Sequence, residues 1–303
     1  VEAPALASRA AASFRDPSQI VESWQAPDFS PGPRSAIYVH FDARGDVAPY
    51  VLHGLAELRA NGLDTLLVSN AGRLNPDAMA ALRQVAHGVL VRRNIGYDFG
   101  AMREGLAHWR LPGPATQCVI LTNDSVLGPF SPLAPLLARL DFAAADLWAA
   151  VDSRQRRYHL QSWFMAAGAR ALRDPAWAQF WDGVRPVQHK EWVIGRYEVG
   201  LTQAMLRAGL RVRALWSADA LLARARVLPP DAGPLQRAQH ARREKLLARG
   251  VTLNPTADLW RELWEAGCPF IKRELVTRNP AHVQDVADWR HLVPAGSLKR
   301  LGL

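Results

Sequence analysis

The chain has 303 residues, 49% of them hydrophobic and 21% charged, which is enough to bury a sizeable core and argues against wholesale disorder. It carries a net charge of +9, mostly arginine, so anionic partners are favoured: nucleic acid, phosphorylated sugars or an anionic membrane surface. No apolar run approaches the roughly 18 residues of a membrane span, and the two cysteines, Cys118 and Cys268, are too far apart in sequence to suggest a metal pair, so a soluble, reducing, cytoplasmic setting is expected.

Residues 1–33 hold five prolines and little periodicity, and read as an N-terminal extension. Ala36–Phe41 is the first expected strand, followed by a helix with Asp46 as N-cap and Asn61-Gly62 as its stop. Thr65–Ser69 is the second strand. Asn75-Pro76 opens the next helix, with Met79, Leu82 and Val85 on one side, and Val89–Val91 begins the third strand. This strand–helix alternation predicts an α/β fold with a mostly parallel, Rossmann-type sheet flanked by helices. Asp98–Trp109 reads as a helix and Cys118–Leu121 as a central fourth strand. Ser131-Pro132 caps a further helix. Leu147–Val151 and His159–Ala167 are two more apolar runs, separated by the polar residues 152–158, and the aromatics of the following helix, Trp177, Phe180 and Trp181, are assigned to the core. Arg196–Ala208 is an expected helix closed by Gly209, and Val212–Trp216 a strand. The catalytic core is thus placed at 34–217. Residues 218–303 form a helical part completing the same domain, a lid or acceptor region, with Asn254-Pro255 and Asn279-Pro280 as late caps.

No Walker-type loop, Rossmann glycine triplet, HExxH or GxSxG is present, which weighs against P-loop, hydride-transfer, zinc-protease and serine-hydrolase chemistry. Polar residues instead collect just past strand ends: Asp42, Asn94, Asp98, Asn123 and Asp124. In an open α/β sheet such positions line the ligand crevice. Carboxylates there suit a hard divalent cation, Mg²⁺ or Mn²⁺, bridging a diphosphate.

The segments NIGYDFGAMREGL (94–106), NDSVLGPF (123–130), HLQSWFM (159–165), YEVGLT (197–202) and NPTADLW…PFIKREL…NP (254–280) resemble the rhamnan synthesis protein F family. That resemblance implies a GT-A-like nucleotide-sugar glycosyltransferase of bacterial cell-surface polysaccharide such as O-antigen. The expected reaction is an inverting transfer of L-rhamnose from dTDP-rhamnose to a lipid-linked glycan. In that reading the first strand ends (His40, Asp42, Asn70) with Asn94, Gly96 and Asp98 hold the nucleoside. Asn123-Asp124-Ser125 takes the place of the metal- and diphosphate-binding DxD, with Asp124 as the metal ligand. Where no metal is held, Arg93, Arg103, Lys272 and Arg273 are the candidate cations that neutralise the diphosphate instead. Gln161, Ser162 and Trp163 face the sugar. Glu198 is the expected general base, at the opening of a helix, and Asp152 its runner-up. The basic surface is expected to keep the enzyme peripheral to the inner face of the cell membrane, with no nucleic acid as partner. A sugar-phosphate transferase using the same crevice and a non-catalytic glycan-binding domain are the two alternatives.

Overall fold

The computed structural model describes residues 18–303; the first half of the expected N-terminal extension lies outside them. Eleven strands are present among these residues: β1 Ile20–Gln25, β2 Arg34–His40, β3 Asp64–Ser69, β4 Gly88–Arg92, β5 Cys118–Asn123, β6 Val126–Leu127, β7 Leu147–Ser153, β8 His159–Leu160, β9 Phe164–Gly168, β10 Val212–Trp216 and β11 Ile271–Lys272. Nine make one sheet in the order β1-β4-β3-β2-β5-β9-β7-β10, with β8 added beside β7; β6 and β11 pair separately. The longer helices are α1 Pro49–Ala60, α2 Pro76–Val85, α3 Tyr97–His108, α4 Pro175–Gly183, α5 Val199–Arg207, α6 Ala218–Ala225 and α7 Pro234–Ala248. No helix among the described residues is long and apolar enough to cross a membrane.

The expected α/β fold is present, and its first half is the expected parallel unit: β4, β3, β2 and β5 run side by side in one direction. The second half is mixed, because β9 runs antiparallel to both β5 and β7 while β10 is again parallel to β7. The 159–167 run is therefore not one strand. It breaks at Gln161–Trp163 into β8 and β9, and that break opens beside the carboxyl end of β5, where Thr122 Oγ1 donates to the Trp163 carbonyl at 2.7 Å. The edge strand β1, antiparallel to β4, is a feature the proline-rich extension did not disclose.

Alternate strand residues feed two cores, as a sheet buried on both faces requires. Ala36, Tyr38, Leu67 and Ile120 face one layer with α1, α2 and the C-terminal Leu259, Trp260 and Leu263. Ile37, Val39, Leu66, Val68, Val119 and Leu121 face the other, with Phe99 and Met102 of α3 and Trp177 and Trp181 of α4. Trp177 is 1% exposed, in keeping with its expected place in the core. Helix α3 lies close against the sheet because Gly105 carries no side chain; a Cβ there would meet Ile37 Cγ2 and Val68 Cγ2 at 3.0 Å.

Some expected caps differ. Helix α1 starts at Pro49 after Ala48, and Asp46 instead accepts from the Asn75 amide at 2.6 Å. Asn279-Pro280 opens no helix; Asn279 sits at φ 44° and its side chain exchanges two hydrogen bonds with the Val283 backbone, making a turn. Residues 218–250 form the helix pair α6 and α7.

Candidate functional site

The winding of the sheet reverses between β2 and β5: β3 and β4 follow on one side of β2, β5 on the other. Ligands in open α/β sheets favour the crevice at such a reversal. Here it is closed by protein. Asp124, just past β5 and 6% exposed, accepts through Oδ2 from the Phe41 N–H at 3.2 Å and from Arg273 Nη1 at 3.0 Å. The same Nη1 donates to the Tyr50 hydroxyl at 2.9 Å, and that hydroxyl donates to the Asp124 carbonyl at 3.3 Å. Burial, then the Asp124 charge, pushes the Tyr50 phenol up to about 12, so it stays a hydrogen-bond donor. His40 is buried beside this knot against Ser69 Oγ at 3.1 Å, with its pKa lowered by burial.

One strand further along, over β5, β9 and β7, a cleft of about 370 Å³ is open. Asp98, Asn123, Ser125, Gln161, Ser162, Trp163, Glu198 and Lys272, all expected from the sequence, line it together. They reach it from five elements. Gly96 at φ 89° and Tyr97 at φ 52° turn the chain from β4 into α3 and set Asp98 on its first turn. Asn123 ends β5; its amide donates to Asp98 Oδ2 at 2.9 Å while its carbonyl oxygen accepts from Ser125 N and Oγ at 3.1 and 2.5 Å, which fixes the amide's orientation. Glu198 belongs to a π-helical turn, Ile194–Glu198, inserted between a short helix at Lys190–Val193 and α5. Such turns are common at functional sites. Its Oε1 accepts from both Ser162 N at 2.9 Å and Ser162 Oγ at 2.8 Å. The helical run begins at Lys190, so Glu198 does not open a helix as expected, and the attraction of a helix N-terminus does not account for it.

The charges in this cleft are incompletely paired. Burial, and then the carboxylates of Asp124 and Glu198, push Asp98 up to about 7, against the opposing pull of Arg273 and the Asn123 amide. Lys190 and Lys272 line the wall with no ion pair to any described residue, whereas Arg156 is paired with Glu191. Trp163 lines the cleft but is only 6% exposed; its indole packs edge-on against Phe270, and Nε1 donates at 3.3 Å to Gln161 Oε1 and to Thr256 Oγ1. Gln161 is further tied to Asn254, its Nε2 donating to Oδ1 at 3.2 Å. The expected sugar platform is thus mainly a rigid wall.

The remaining expected residues do not line this cleft. Asp152 is buried at the end of β7 and accepts from the Ala218 N–H at 2.6 Å, anchoring the start of α6; it is a structural carboxylate here rather than a base in the cleft. Asp42 ties its own turn through the Arg44 and Asp46 N–H groups. Asn70 accepts from Arg92, whose guanidinium is 1% exposed, bonded to Glu104 at 2.6 Å and to the Ile95 carbonyl at 2.8 Å. The arginine drawn into the fold is therefore Arg92; its neighbour Arg93 is exposed. Asn94, Gly96 and Arg103 lie on or near the β4–α3 turn outside the cleft wall, and Arg273 holds Asp124. Among the lining residues that sequence reasoning missed are Gln155, Arg156, His159, Lys190, Asn254, Thr256 and Glu274. The polar 152–158 segment and the Asn254-Pro255 cap were visible signals for three of them.

Among the described residues no three His, Cys, Asp or Glu side chains converge on a cation site. Asp124, the expected metal ligand, is committed to Arg273, and the wall without ion pairs holds Asp98 and Glu198 together with Lys190 and Lys272. The donor set fits an anion better than a resident cation.

A model of the family described as rhamnan synthesis protein F matches residues 65–229, more than half of the chain. Among curated proteins, an uncharacterized protein (y4gN) of Sinorhizobium fredii is 27% identical over 191 residues, covering 62% of this chain and 49% of that protein. Virulence protein VirA of Vibrio anguillarum is 29% identical over 202 residues, covering 62% of each. The chain thus aligns with about half the length of one relative and under two thirds of the other. Among solved structures, a Pyrobaculum calidifontis mannosyltransferase in complex with GDP-Man and Mn²⁺ aligns with a TM-score of 0.38 at 15% identity, over 92% of this chain and 79% of that one. A galactosyltransferase, LgtC, with donor and acceptor sugar analogs aligns with a TM-score of 0.36 at 16% identity, over 67% and 81%.

Proposed function

The chain belongs to the rhamnan synthesis protein F family, and from that premise we propose that it is a nucleotide-sugar glycosyltransferase acting in the β5–β9–β7 cleft. The observation that carries the reading is the meeting in one cleft of three carboxylates, Asp98, Glu198 and Glu274, only the last of them in an ion pair (with Arg278), and two lysines free of ion pairs, Lys190 and Lys272. Cations for the donor's anionic diphosphate and a proton-accepting carboxylate are the two needs of sugar transfer, and the wall offers both.

The donor's diphosphate is assigned to Lys272 and Lys190 as charge-assisted hydrogen-bond donors, with no step requiring a metal. The sugar lies against Gln161, Ser162 and the edge of Trp163, whose mutual hydrogen bonds preorganise them. The acceptor hydroxyl oxygen forms a bond to the sugar's anomeric carbon from the face opposite the leaving group. The bond from that carbon to the phosphate oxygen breaks, and the electron pair departs with the nucleoside diphosphate. The hydroxyl proton passes to Asp98. Glu198 was the expected base, but its Oε1 is already engaged by two hydrogen bonds from Ser162, from its N–H and its Oγ. Its role is to hold negative charge beside Asp98 and so keep Asp98 basic. L-rhamnose from dTDP-rhamnose is the proposed donor, a lipid-linked glycan of the cell envelope the proposed acceptor, and inversion the proposed outcome.

Product analysis tests the reading. Release of a nucleoside diphosphate from a nucleotide sugar, dependent on Asp98, is the expected result. Release of a nucleoside monophosphate would instead mean sugar-phosphate transfer, and no turnover of dTDP-, UDP- or GDP-sugars would leave a binding module.

A further inference from the structure

The first turns of helix α7 reverse the usual pattern, while Leu246 and Leu247 near its end pack on the core. Soluble helices bury an apolar stripe and expose polar residues. Here the buried positions are Gln239 and Arg243, at 0% and 5% exposure, with Arg242 largely covered beside them. They are satisfied from within: Gln239 donates to the Asp258 carbonyl at 3.1 Å and accepts from Gln284 N at 3.0 Å, Arg242 binds Asp258 at 2.8 Å, and Arg243 pairs with Glu262. The exposed side carries Leu235, Ala238, Ala241 and Ala248.

The loop leading into α7 continues this face. Val227 is 73% exposed, Leu228 37%, and Pro229 and Pro230 are exposed beside them. Of seven exposed large hydrophobics among the described residues, four (Val227, Leu228, Leu235 and Val251) fall between positions 227 and 251. Interspersed with them are Arg224, Arg226, Arg237, Lys245 and Arg249, all exposed and none in an ion pair with a described residue. The exposed acids on the same loop and helix are Asp231 and Glu244.

We propose that the α6–α7 loop and the exposed side of α7 dock on the surface of an anionic lipid bilayer, with Val227, Leu228 and Leu235 entering the headgroup layer and the unpaired arginines meeting lipid phosphates. Apolar side chains ringed by cations are the composition of an interfacial element. A second copy of the same face would bring its arginines against their equals, so charge selects the lipid over self-association. The face is continuous with the cleft: Val251 follows α7, the Gln155 amide bonds the Thr252 carbonyl at 3.2 Å, and Asn254 is itself a cleft residue. An acceptor anchored in the same bilayer would therefore be presented to the catalytic groups, a consequence that rests on the transferase reading; the membrane contact itself does not.

The test is flotation with vesicles of phosphatidylcholine alone or mixed with phosphatidylglycerol, a readout independent of turnover. Binding only to the mixed vesicles is expected. Val227→Glu with Leu228→Glu should weaken it about tenfold or more, and Arg224→Ala with Arg226→Ala by a similar factor. Arg110→Ala with Arg173→Ala removes the same charge elsewhere and should leave binding within about twofold. Unchanged melting temperatures would establish that the variants fold. No binding to mixed vesicles overturns the proposal. Equal losses in the Arg110/Arg173 variant also overturn it, because diffuse basicity then suffices. So does a concentration-dependent dimer that the Val227/Leu228 variant dissolves, which would make the face an interface between copies.

Discussion

Two polar crevices lie one strand apart on the same edge of the sheet, and they differ in how their charges are resolved. Over β2 and β5, Asp124, Arg273 and Tyr50 satisfy one another and fill the space. Over β5, β9 and β7, Asp98 stands beside other carboxylates with the Asn123 amide as its donor, and Lys190 and Lys272 form no ion pair with a described residue. A carboxylate crowded by like charges is a frequent mark of a functional site, and the exposed Lys190 and half-buried Lys272 are within reach of an anionic ligand. The closed crevice is the strut that holds the C-terminal segment against β5; the open one has the unfinished electrostatics of a site.

Substitutions can break or sharpen that contrast. Asp98→Asn should lower turnover by roughly 10²- to 10⁴-fold with donor binding retained, the range for loss of a general base; near-normal kcat would move the chemistry elsewhere. Asp124→Ala should instead act on stability, by about 1–3 kcal/mol, below the roughly 3–5 kcal/mol for a broken fully buried pair because Arg273 is 37% exposed. Urea unfolding measures it, and a loss of turnover with unchanged stability would mean the closed crevice is catalytic after all.

Asp98→Asn should also alter the pH dependence of stability. The Asp98 pKa rises on folding from 3.8 to about 7, so its proton is bound more tightly in the native state, and the stabilisation this gives at low pH is lost as pH rises through about 7. The asparagine variant has no such loss, so its melting temperature should gain on wild type between pH 5 and pH 8. A constant difference across that range would contradict the assignment. The smallest effect is expected from Glu198→Gln. Removing its charge should shift the rise of kcat/KM with pH toward lower pH while leaving measurable turnover; an unmoved midpoint would separate the two carboxylates.

Much of this arrangement was legible in the chain. The strands β2 to β5 and β10 follow from short apolar runs set between helices that glycines close, Asp98 and Asn123 were found as polar residues past strand ends, and Glu198 through the family resemblance. What was not legible depended on distant partners. Nothing local tells that Arg273 crosses the chain to Asp124, that Asp152 is taken by the Ala218 N–H, or that Arg92 rather than Arg93 turns inward to Glu104. The reversal of β9 was hidden for a similar reason: His159–Ala167 is one apolar run by composition, and only the Gln161–Trp163 contacts with Thr256 and Thr122 divide it.

The most direct test of the central claim is a thermal-shift titration with dTDP, UDP and GDP, with and without EDTA, on wild type, Lys272→Ala and Arg273→Ala. A ligand that binds only the native state at 100 times its Kd adds about 2.7 kcal/mol of stability. The account predicts a shift with one nucleoside diphosphate that survives EDTA, is largely lost in Lys272→Ala and is kept in Arg273→Ala despite that variant's lower starting temperature. A shift abolished by EDTA, or lost in Arg273→Ala and kept in Lys272→Ala, would place the diphosphate in the crevice described here as closed.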